Sequence, residues 1–269
     1  QGSKTKYLPF NKGYNKGAGN PPNPSGHKTS YLWEDVLVKN SWMDILGRFL
    51  HLEVEEKTFD GKKFKIETMI FPRYHQLDSV RKLSADALAN GAGKNYLIQH
   101  SAGSGKSNSI AWLAYHLAGL HDRNDKRIFD SVIVITDRIV LDKQLQDTIY
   151  QFEHKSGVVE KIDKDSAQLA QALTSGTNII ITTLQKFPFV LDKIGTLPKR
   201  NYAVIVDEAH SSQGGESAKK MKDVLSAVDK IEIASVKADD DDDVEDEIRE
   251  SMLKRGPRPN LSFFGFTAT

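Results

Sequence analysis

The residues from His100 to Ser107 have the composition of a phosphate-binding loop. They read His-Ser-Ala-Gly-Ser-Gly-Lys-Ser, a pattern in which Gly103 and Gly105 let successive backbone N–H groups converge on phosphate oxygens. Lys106 would reach the β- and γ-phosphates, and Ser107 would place its hydroxyl on a magnesium ion. Because His100 stands where the pattern has its first glycine, a Gly/Ser-rich turn that binds nothing is the alternative interpretation.

Two adjacent carboxylates, Asp207 and Glu208, follow a short apolar run that begins at Ala203. In an open parallel sheet, ligands bind where strands end at their carboxyl side. Asp207 would hold magnesium directly or through water, and Glu208 could orient the water that attacks the γ-phosphorus. Two acids at a strand end are also typical of a solvated turn. Together with the phosphate loop they predict a site for ATP hydrolysis, because such a site needs both parts.

Short apolar runs, each followed by a helical stretch, supply the scaffold for these residues after Pro72. The runs are Tyr96–Gln99, Val132–Thr136, Asn178–Thr182, Ala203–Val206 and Leu261–Phe266. Strands that are apolar on both faces and separated by helices predict an α/β fold, with a parallel sheet flanked by helices. The helix after the first run carries apolar residues at helical spacing, and these are Ile110, Leu113, Ala114 and Leu117.

The first 72 residues have a different organisation, which predicts an α+β region ahead of residues 73–269. Residues 1–31 are rich in Gly, Pro, Asn and Lys, as expected for an extended linker. Residues 32–72 begin with a helical pattern in which Ser41 is a possible helix cap. Two alternating runs then flank Asp60-Gly61, and this arrangement predicts a β-hairpin.

Composition restricts the class of molecule. A chain of 269 residues with 39% hydrophobic residues can bury the core of one large domain or two small ones. The 37 basic and 36 acidic side chains nearly cancel, so net charge points to no polyanionic partner. The absence of cysteine excludes disulfides and thiolate sites and fits a reducing, cytoplasmic location. The three tryptophans, Trp33, Trp42 and Trp112, lie in helical patterns that favour core packing.

Neither a membrane anchor nor a leader is expected from the sequence. The longest apolar runs fit within a strand and fall far below the roughly 20 residues of a membrane helix. The chain starts with polar Gln1-Gly2-Ser3-Lys4, from which we expect no signal peptide. Residues 235–258 include five consecutive aspartates, Asp239–Asp243, and this block of like charges predicts a solvated, mobile insertion.

The two chemical motifs resemble those of superfamily 2 helicases and translocases, whose motor lobes are RecA-like P-loop NTPase folds. The matching residues are Gly103-Ser104-Gly105-Lys106-Ser107 and Asp207-Glu208-Ala209-His210. Four more blocks follow in the order of that superfamily, and they are Gln76, Thr136-Asp137-Arg138, Thr182-Thr183 and Gly265-Phe266-Thr267-Ala268-Thr269. The resemblance implies that Gln76 reads adenine, and that Thr136, Arg138 and Thr182 grip the nucleic-acid backbone. It also implies that Thr267 and Thr269 couple hydrolysis to strand movement.

The region before the phosphate loop narrows the resemblance to the motor subunit of type I restriction enzymes. The similar segments are Leu8-Pro9-Phe10-Asn11-Lys12-Gly13, Gly19-Asn20-Pro21, Thr29-Ser30-Tyr31-Leu32-Trp33-Glu34 and Phe71-Pro72-Arg73-Tyr74-His75-Gln76. The resemblance covers nearly the whole chain and is weakest across residues 214–260. The nucleotide motifs are shared by many families, whereas these segments favour this one.

That family implies a subunit that uses ATP and Mg²⁺ to move along double-stranded DNA before endonucleolytic cleavage. Its expected partners are the modification methyltransferase and specificity subunits. The nuclease domain and second lobe would lie outside these 269 residues. We therefore expect weak ATP binding and little hydrolysis by this chain alone, since an arginine finger contributes roughly 10³- to 10⁵-fold. The alternatives are another superfamily 2 motor, such as a repair helicase or remodeller, and a nucleotide-gated binding module without turnover.

Overall fold

The computed structural model describes ten stretches of the chain, which form two compact units, 1–82 and 83–269. The described residues are 10–15, 17–59, 62–101, 103–136, 145, 148–150, 157–162, 166–183, 200–207 and 259–268. The predicted acidic insertion at 235–258 lies outside them.

Residues 32–49 of the first unit form three short helical segments rather than one helix. Two single π-helical turns, Leu32–Val36 and Ile45–Phe49, flank helix α1, Lys39–Asp44. The prediction of Ser41 as the helix cap was wrong, because α1 starts two residues earlier and its N-cap is the extended residue Val38. The hydroxyl of Ser41 instead donates to the Val36 carbonyl at 2.7 Å, which ties α1 back to the preceding turn.

An arginine clamp holds α1 in place within this unit. Helix α2, Tyr74–Asn90, carries Arg81, whose Nε and Nη2 donate to Asp44 Oδ2 at 3.0 and 2.8 Å. The same guanidinium donates to the hydroxyl of Ser41 at 2.9 Å and to its carbonyl at 3.0 Å. The planar fork of arginine suits such multiple donation, which a lysine could not reproduce.

One of the three tryptophans is packed in the core, and the other two are exposed. Trp112 is fully buried, whereas Trp33 is 55% exposed and Trp42 is 36% exposed. The prediction of core packing was therefore wrong for Trp33 and Trp42. In both segments the buried positions are taken by other residues, Val36, Ile45 and Phe49.

The predicted β-hairpin is confirmed. Strands β1, His51–Phe59, and β2, Lys62–Ile70, pair antiparallel in a two-stranded sheet of their own. The register runs from His51 opposite Ile70 to Phe59 opposite Lys62. Most of β2 is exposed along its length, so this ribbon contributes little to a core.

The second unit is built on a six-stranded sheet in which all pairs are parallel, which confirms the predicted α/β fold class. The strands are β3, Tyr96–His100; β4, Ser131–Thr136; β5, Val159–Lys161; β6, Ile179–Thr183; β7, Tyr202–Val206; and β8, Leu261–Ala268. Their order across the sheet is β3-β8-β7-β4-β6-β5. Strand β8, although last in the chain, therefore lies between β3 and β7.

Helices α3, Lys106–Ala118, and α4, Ser166–Ser175, connect strands of this sheet. Every residue of β4 and β7 is buried, as expected for strands covered on both faces. The predicted apolar face of α3 is confirmed, because Ile110, Leu113, Ala114 and Leu117 are all fully buried. Among the described residues, no helix combines the length and apolar character needed to cross a membrane.

Candidate functional site

The predicted phosphate loop connects β3 to α3 and has left-handed backbone at two glycines. Gly103 has φ of +72° and Gly105 has φ of +83°. Glycine adopts this region without the steric cost that a Cβ imposes. The backbone N–H of Ser104 donates to the Ser101 carbonyl at 3.2 Å, which closes the turn between the two elements.

The loop delivers Lys106 and Ser107 as the first two residues of α3. Gly105 is the N-cap residue of this helix, and glycine has no side chain that could cap it. The first N–H groups of any helix have no partner within the helix itself. Such a helix start favours anions through its N–H groups and its dipole. Both side chains are half-buried. The backbone of the loop thus fits a phosphate, and the first turn of the helix that follows carries a cation and a hydroxyl.

His100 ends β3 and contacts the neighbouring strand. It lies opposite Ala268 in the β3–β8 register, and its ring meets the ring of Phe266 edge-on with centroids 6.0 Å apart. The residue that departs from the phosphate-loop pattern is therefore packed against the segment predicted to couple hydrolysis to movement. Thr267, in that segment, lies opposite Gln99 and is 8% exposed.

Asp207 follows the last residue of β7, as the sequence predicted. Its backbone N–H donates to the Ile135 carbonyl of β4 at 3.1 Å, which extends the β4–β7 ladder by one residue. The residue is half-buried. Its backbone is thereby fixed at the carboxyl edge of the sheet.

The strand order gives the spacing between the two halves of the candidate site. The predicted phosphate loop follows β3, Asp207 follows β7, and β8 is the one strand that lies between β3 and β7 in the described sheet. Since neighbouring strands lie about 4.8 Å apart, the axes of β3 and β7 are about 10 Å apart across the sheet. A hydroxyl at Ser107 and a carboxylate at Asp207 are hard oxygen donors of the kind that Mg²⁺ takes together with phosphate oxygens. The residues present fit a magnesium nucleotide.

The threonines predicted to contact nucleic acid lie further along the same edge. Thr136 ends β4 and lies opposite Thr183, and Thr182 lies opposite Ile135. Thr136 and Thr182 are each 2% exposed, whereas Thr183 is half-buried. Thr183 therefore has more access to a ligand than Thr182, a difference that the two-residue motif does not reveal.

Gln76 belongs to the first unit, where it has a structural contact. Its Oε1 accepts the backbone N–H of Arg73 at 2.8 Å, and its side chain is 3% exposed. Arg73 immediately precedes α2, so Gln76 caps the helix from its third position, as the glutamine of a capping box does. Its adenine contact stays a prediction.

Three predicted site residues lie outside the described part of the chain. They are Glu208, Arg138 and Thr269. The structure therefore describes the predicted phosphate loop, apart from Ala102, and Asp207, while the water-orienting role of Glu208 stays a prediction.

Comparison with known proteins places the chain in a family. A family model described as the SWI2/SNF2 ATPase matches residues 75–235, more than half of the chain. Over 222 residues the chain is 24% identical to the MjaVIIIP type I restriction enzyme endonuclease subunit of Methanocaldococcus jannaschii, covering 74% of this chain and 21% of that protein. Over 133 residues it is 33% identical to the C-terminal part of the MpnIIP type I restriction enzyme endonuclease subunit of Mycoplasma pneumoniae, covering 46% of this chain and 60% of that protein.

A solved structure is also similar, that of a nuclease-deletion mutant of the type ISP restriction-modification enzyme LlaGI in complex with a DNA substrate mimic. The TM-score is 0.44 at 13% identity, over 72% of this chain and 17% of that chain. The chain thus spans only part of the length of its relatives. The predicted resemblance to type I restriction enzyme subunits is confirmed, and the match over residues 75–235 shows that the chain belongs to the SWI2/SNF2 ATPase family.

Proposed function

We propose that this chain is part of the ATP-dependent DNA motor of a type I restriction-modification enzyme. ATP hydrolysis drives translocation of double-stranded DNA before endonucleolytic cleavage, in a complex with methyltransferase and specificity subunits. The observation that carries the proposal is the shared sheet edge, where the phosphate loop after β3 and Asp207 after β7 are separated by one strand.

In this proposal each residue at the edge has a distinct task. Lys106 neutralises charge on the β- and γ-phosphates, while Ser107 and Asp207 hold Mg²⁺. The bound ion neutralises charge that develops on the transferred phosphoryl group. Glu208 orients the attacking water, and Gln76 contacts adenine.

Residues at and after the ends of β4 and β6 contact DNA in this proposal. Thr136, Arg138 and the motif Thr182-Thr183 hold the sugar-phosphate backbone, and Thr183 is the more accessible residue of that pair. Such contacts require no base recognition. Thr267 and Thr269 couple hydrolysis to movement, since β8 lies between the nucleotide-binding strand and the strand that carries Asp207.

The experiment compares the wild-type chain, Lys106→Ala and Lys126→Ala in titrations with a fluorescent ATP analogue and Mg²⁺. Lys126 is an exposed control in the same unit. We expect saturable binding that Lys106→Ala abolishes and Lys126→Ala preserves. Equal binding by all three would contradict the nucleotide assignment.

The translocase step is tested in the complete enzyme complex that carries this chain. Displacement of a DNA triplex should require ATP and should be lost in Glu208→Gln, together with DNA-stimulated ATPase activity. A wild-type complex that displaces no triplex, but whose nucleotide-dependent DNA binding is unchanged in Glu208→Gln, would instead favour the alternative of a nucleotide-gated module. The other alternative, a different superfamily 2 motor, predicts activity without the methyltransferase and specificity subunits.

A further inference from the structure

The β1–β2 hairpin of the first unit is a ribbon with solvent access on both faces. Its strands of nine residues each give a length of about 30 Å. Within the described residues the two strands pair only with each other. A two-stranded hairpin alone is at best marginally stable in water. A partner that covers the ribbon would therefore stabilise it.

The lysines of the hairpin all fall within residues 56–65, which have a formal charge of +2 because Glu56 and Asp60 belong to the same stretch. The end near the turn, which we call the hairpin tip, comprises residues 56–59 and 62–65. It carries four lysines, all exposed: Lys57, Lys62, Lys63 and Lys65. Lys65 lies 3.9 Å from Glu56 across the strands, and no ion pair among the described residues involves Lys62 or Lys63. At the other end the exposed carboxylate of Glu67 lies opposite Val54, and apolar Leu52 lies opposite Met69.

The register distributes the lysines of the hairpin tip over both faces. Residues directly opposite each other share a face, and successive residues alternate between faces. Lys57, opposite Phe64, and Lys62 therefore share one face, while Lys63 and Lys65 share the other. A partner with negative charge on only one side of the ribbon would leave half of these cations unused.

Double-stranded DNA fits this distribution. Its major groove, about 12 Å wide, admits a two-stranded β-ribbon, and a phosphate backbone runs along each wall. A ribbon that enters the groove edge-on, with its two faces toward the two walls, would present one lysine pair to each wall. The acidic and apolar end of the hairpin would be held away from the phosphates by its own charge.

We propose that the hairpin tip contacts the phosphate backbones of double-stranded DNA through lysines on both faces of the ribbon. This inference rests on the proposed function, because it adds a second DNA-contacting surface to a motor that already acts on DNA. The contact is independent of base sequence, since lysines that bind phosphates carry no sequence information.

The test uses the full chain and fluorescence anisotropy with labelled duplex DNA, over salt concentrations from about 50 to 200 mM. The variant is Lys62→Gln/Lys63→Gln, which removes one lysine from each face. The matched control is Lys28→Gln/Lys39→Gln, which removes the same charge from two exposed lysines of the same unit outside the hairpin. A fluorescent ATP analogue is titrated into all three proteins in parallel.

Each lost phosphate contact lowers the slope of log affinity against log salt concentration by about 0.9. The hairpin variant should therefore show a slope smaller by about 2 and, near 0.1 M salt, an affinity at least about tenfold lower on every duplex sequence. The control should keep the wild-type slope, and all three proteins should bind ATP equally.

Two results would overturn the inference. If the wild-type chain binds duplex DNA and the hairpin variant has the same slope as wild type, the lysines serve another purpose, such as an acidic protein partner or protection of the ribbon's exposed edges. That result leaves the proposed function standing. If the wild-type chain and the intact complex bind no duplex DNA at all, the proposed function fails together with the inference.

Discussion

The backbone N–H of Asp207 donates to the carbonyl of Ile135 at 3.1 Å, across the β4–β7 ladder. This bond fixes the main chain of the candidate magnesium ligand independently of its carboxylate. A substitution that removes the charge and keeps the backbone can therefore separate metal binding from folding.

Asp207→Asn should weaken Mg²⁺-dependent nucleotide binding by at least about tenfold, because a charged ligand is replaced by a neutral amide. The midpoint of thermal unfolding should stay near that of wild type, since the bond to Ile135 is retained. Titration of a fluorescent ATP analogue in Mg²⁺ and in EDTA measures the affinity with and without the metal, and thermal unfolding measures the midpoint. A loss of the same size in EDTA would show that the carboxylate acts without the metal.

Gly103 and Gly91 form a matched pair for testing the phosphate loop. Their φ angles are +72° and +73°, and a Cβ added to either meets no atom within 4 Å. Alanine should therefore cost about 1–2 kcal/mol of stability at each site through the left-handed backbone. Only Gly103→Ala should lower nucleotide affinity as well, because its Cβ would enter the space where phosphate binds. Equal affinities in the two variants would argue against the loop as the phosphate site.

Gln76→Leu should lower the free energy of unfolding by about 1 kcal/mol, since the Arg73 N–H loses its cap. Ser79→Ala is the control, because among the described residues its hydroxyl donates to the Gln76 carbonyl within α2 and to no other group. Chemical denaturation measures the stability of both. The separate prediction of an adenine contact requires that Gln76→Leu also loses preference for ATP over GTP, whereas a purely structural glutamine leaves that preference unchanged.

Arg81→Lys should destabilise the first unit by about 1–2 kcal/mol, because the single ammonium group of lysine cannot reproduce the four hydrogen bonds that Arg81 donates to Asp44 and Ser41. The contrasting variant is Lys82→Met, which breaks the exposed i,i+4 pair with Asp78 and should cost less than about 0.5 kcal/mol. Thermal unfolding monitored by circular dichroism compares them. Similar costs would mean that the clamp acts as an ordinary surface ion pair.

The parallel sheet and its site edge could be predicted from sequence because their signals are local. Apolar runs such as Val132–Thr136 end directly before polar motif residues, and parallel strands bring those ends to one edge. The predicted runs agree with the observed strands to within one or two residues at each end. Strand β5 was missed, because it has three residues and only Val159 of them is buried, too few for a detectable period.

The first unit shows where local patterns are insufficient. Ser41 is a favourable cap residue, yet its partners are Val36 and the distant Arg81, and no local pattern links Ser41 to a residue 40 positions away. Trp33 fits a helical period but lies on a single π-helical turn, where the spacing of buried positions differs from that of an α-helix. The register of the β1–β2 hairpin is a further property that local patterns do not give. The distribution of the lysines over its two faces follows from the pairing of Phe59 with Lys62.

The position of β8 has a consequence for biosynthesis. Within the described sheet, β3 pairs only with β8, although more than 150 residues separate them in the chain. While the ribosome is still making residues 101–260, the strand that leads into the phosphate loop lacks this neighbour. The sheet edge that carries the candidate site is therefore completed late in translation, and a nascent chain stalled before Leu261 would expose the edges of both β3 and β7 to chaperones.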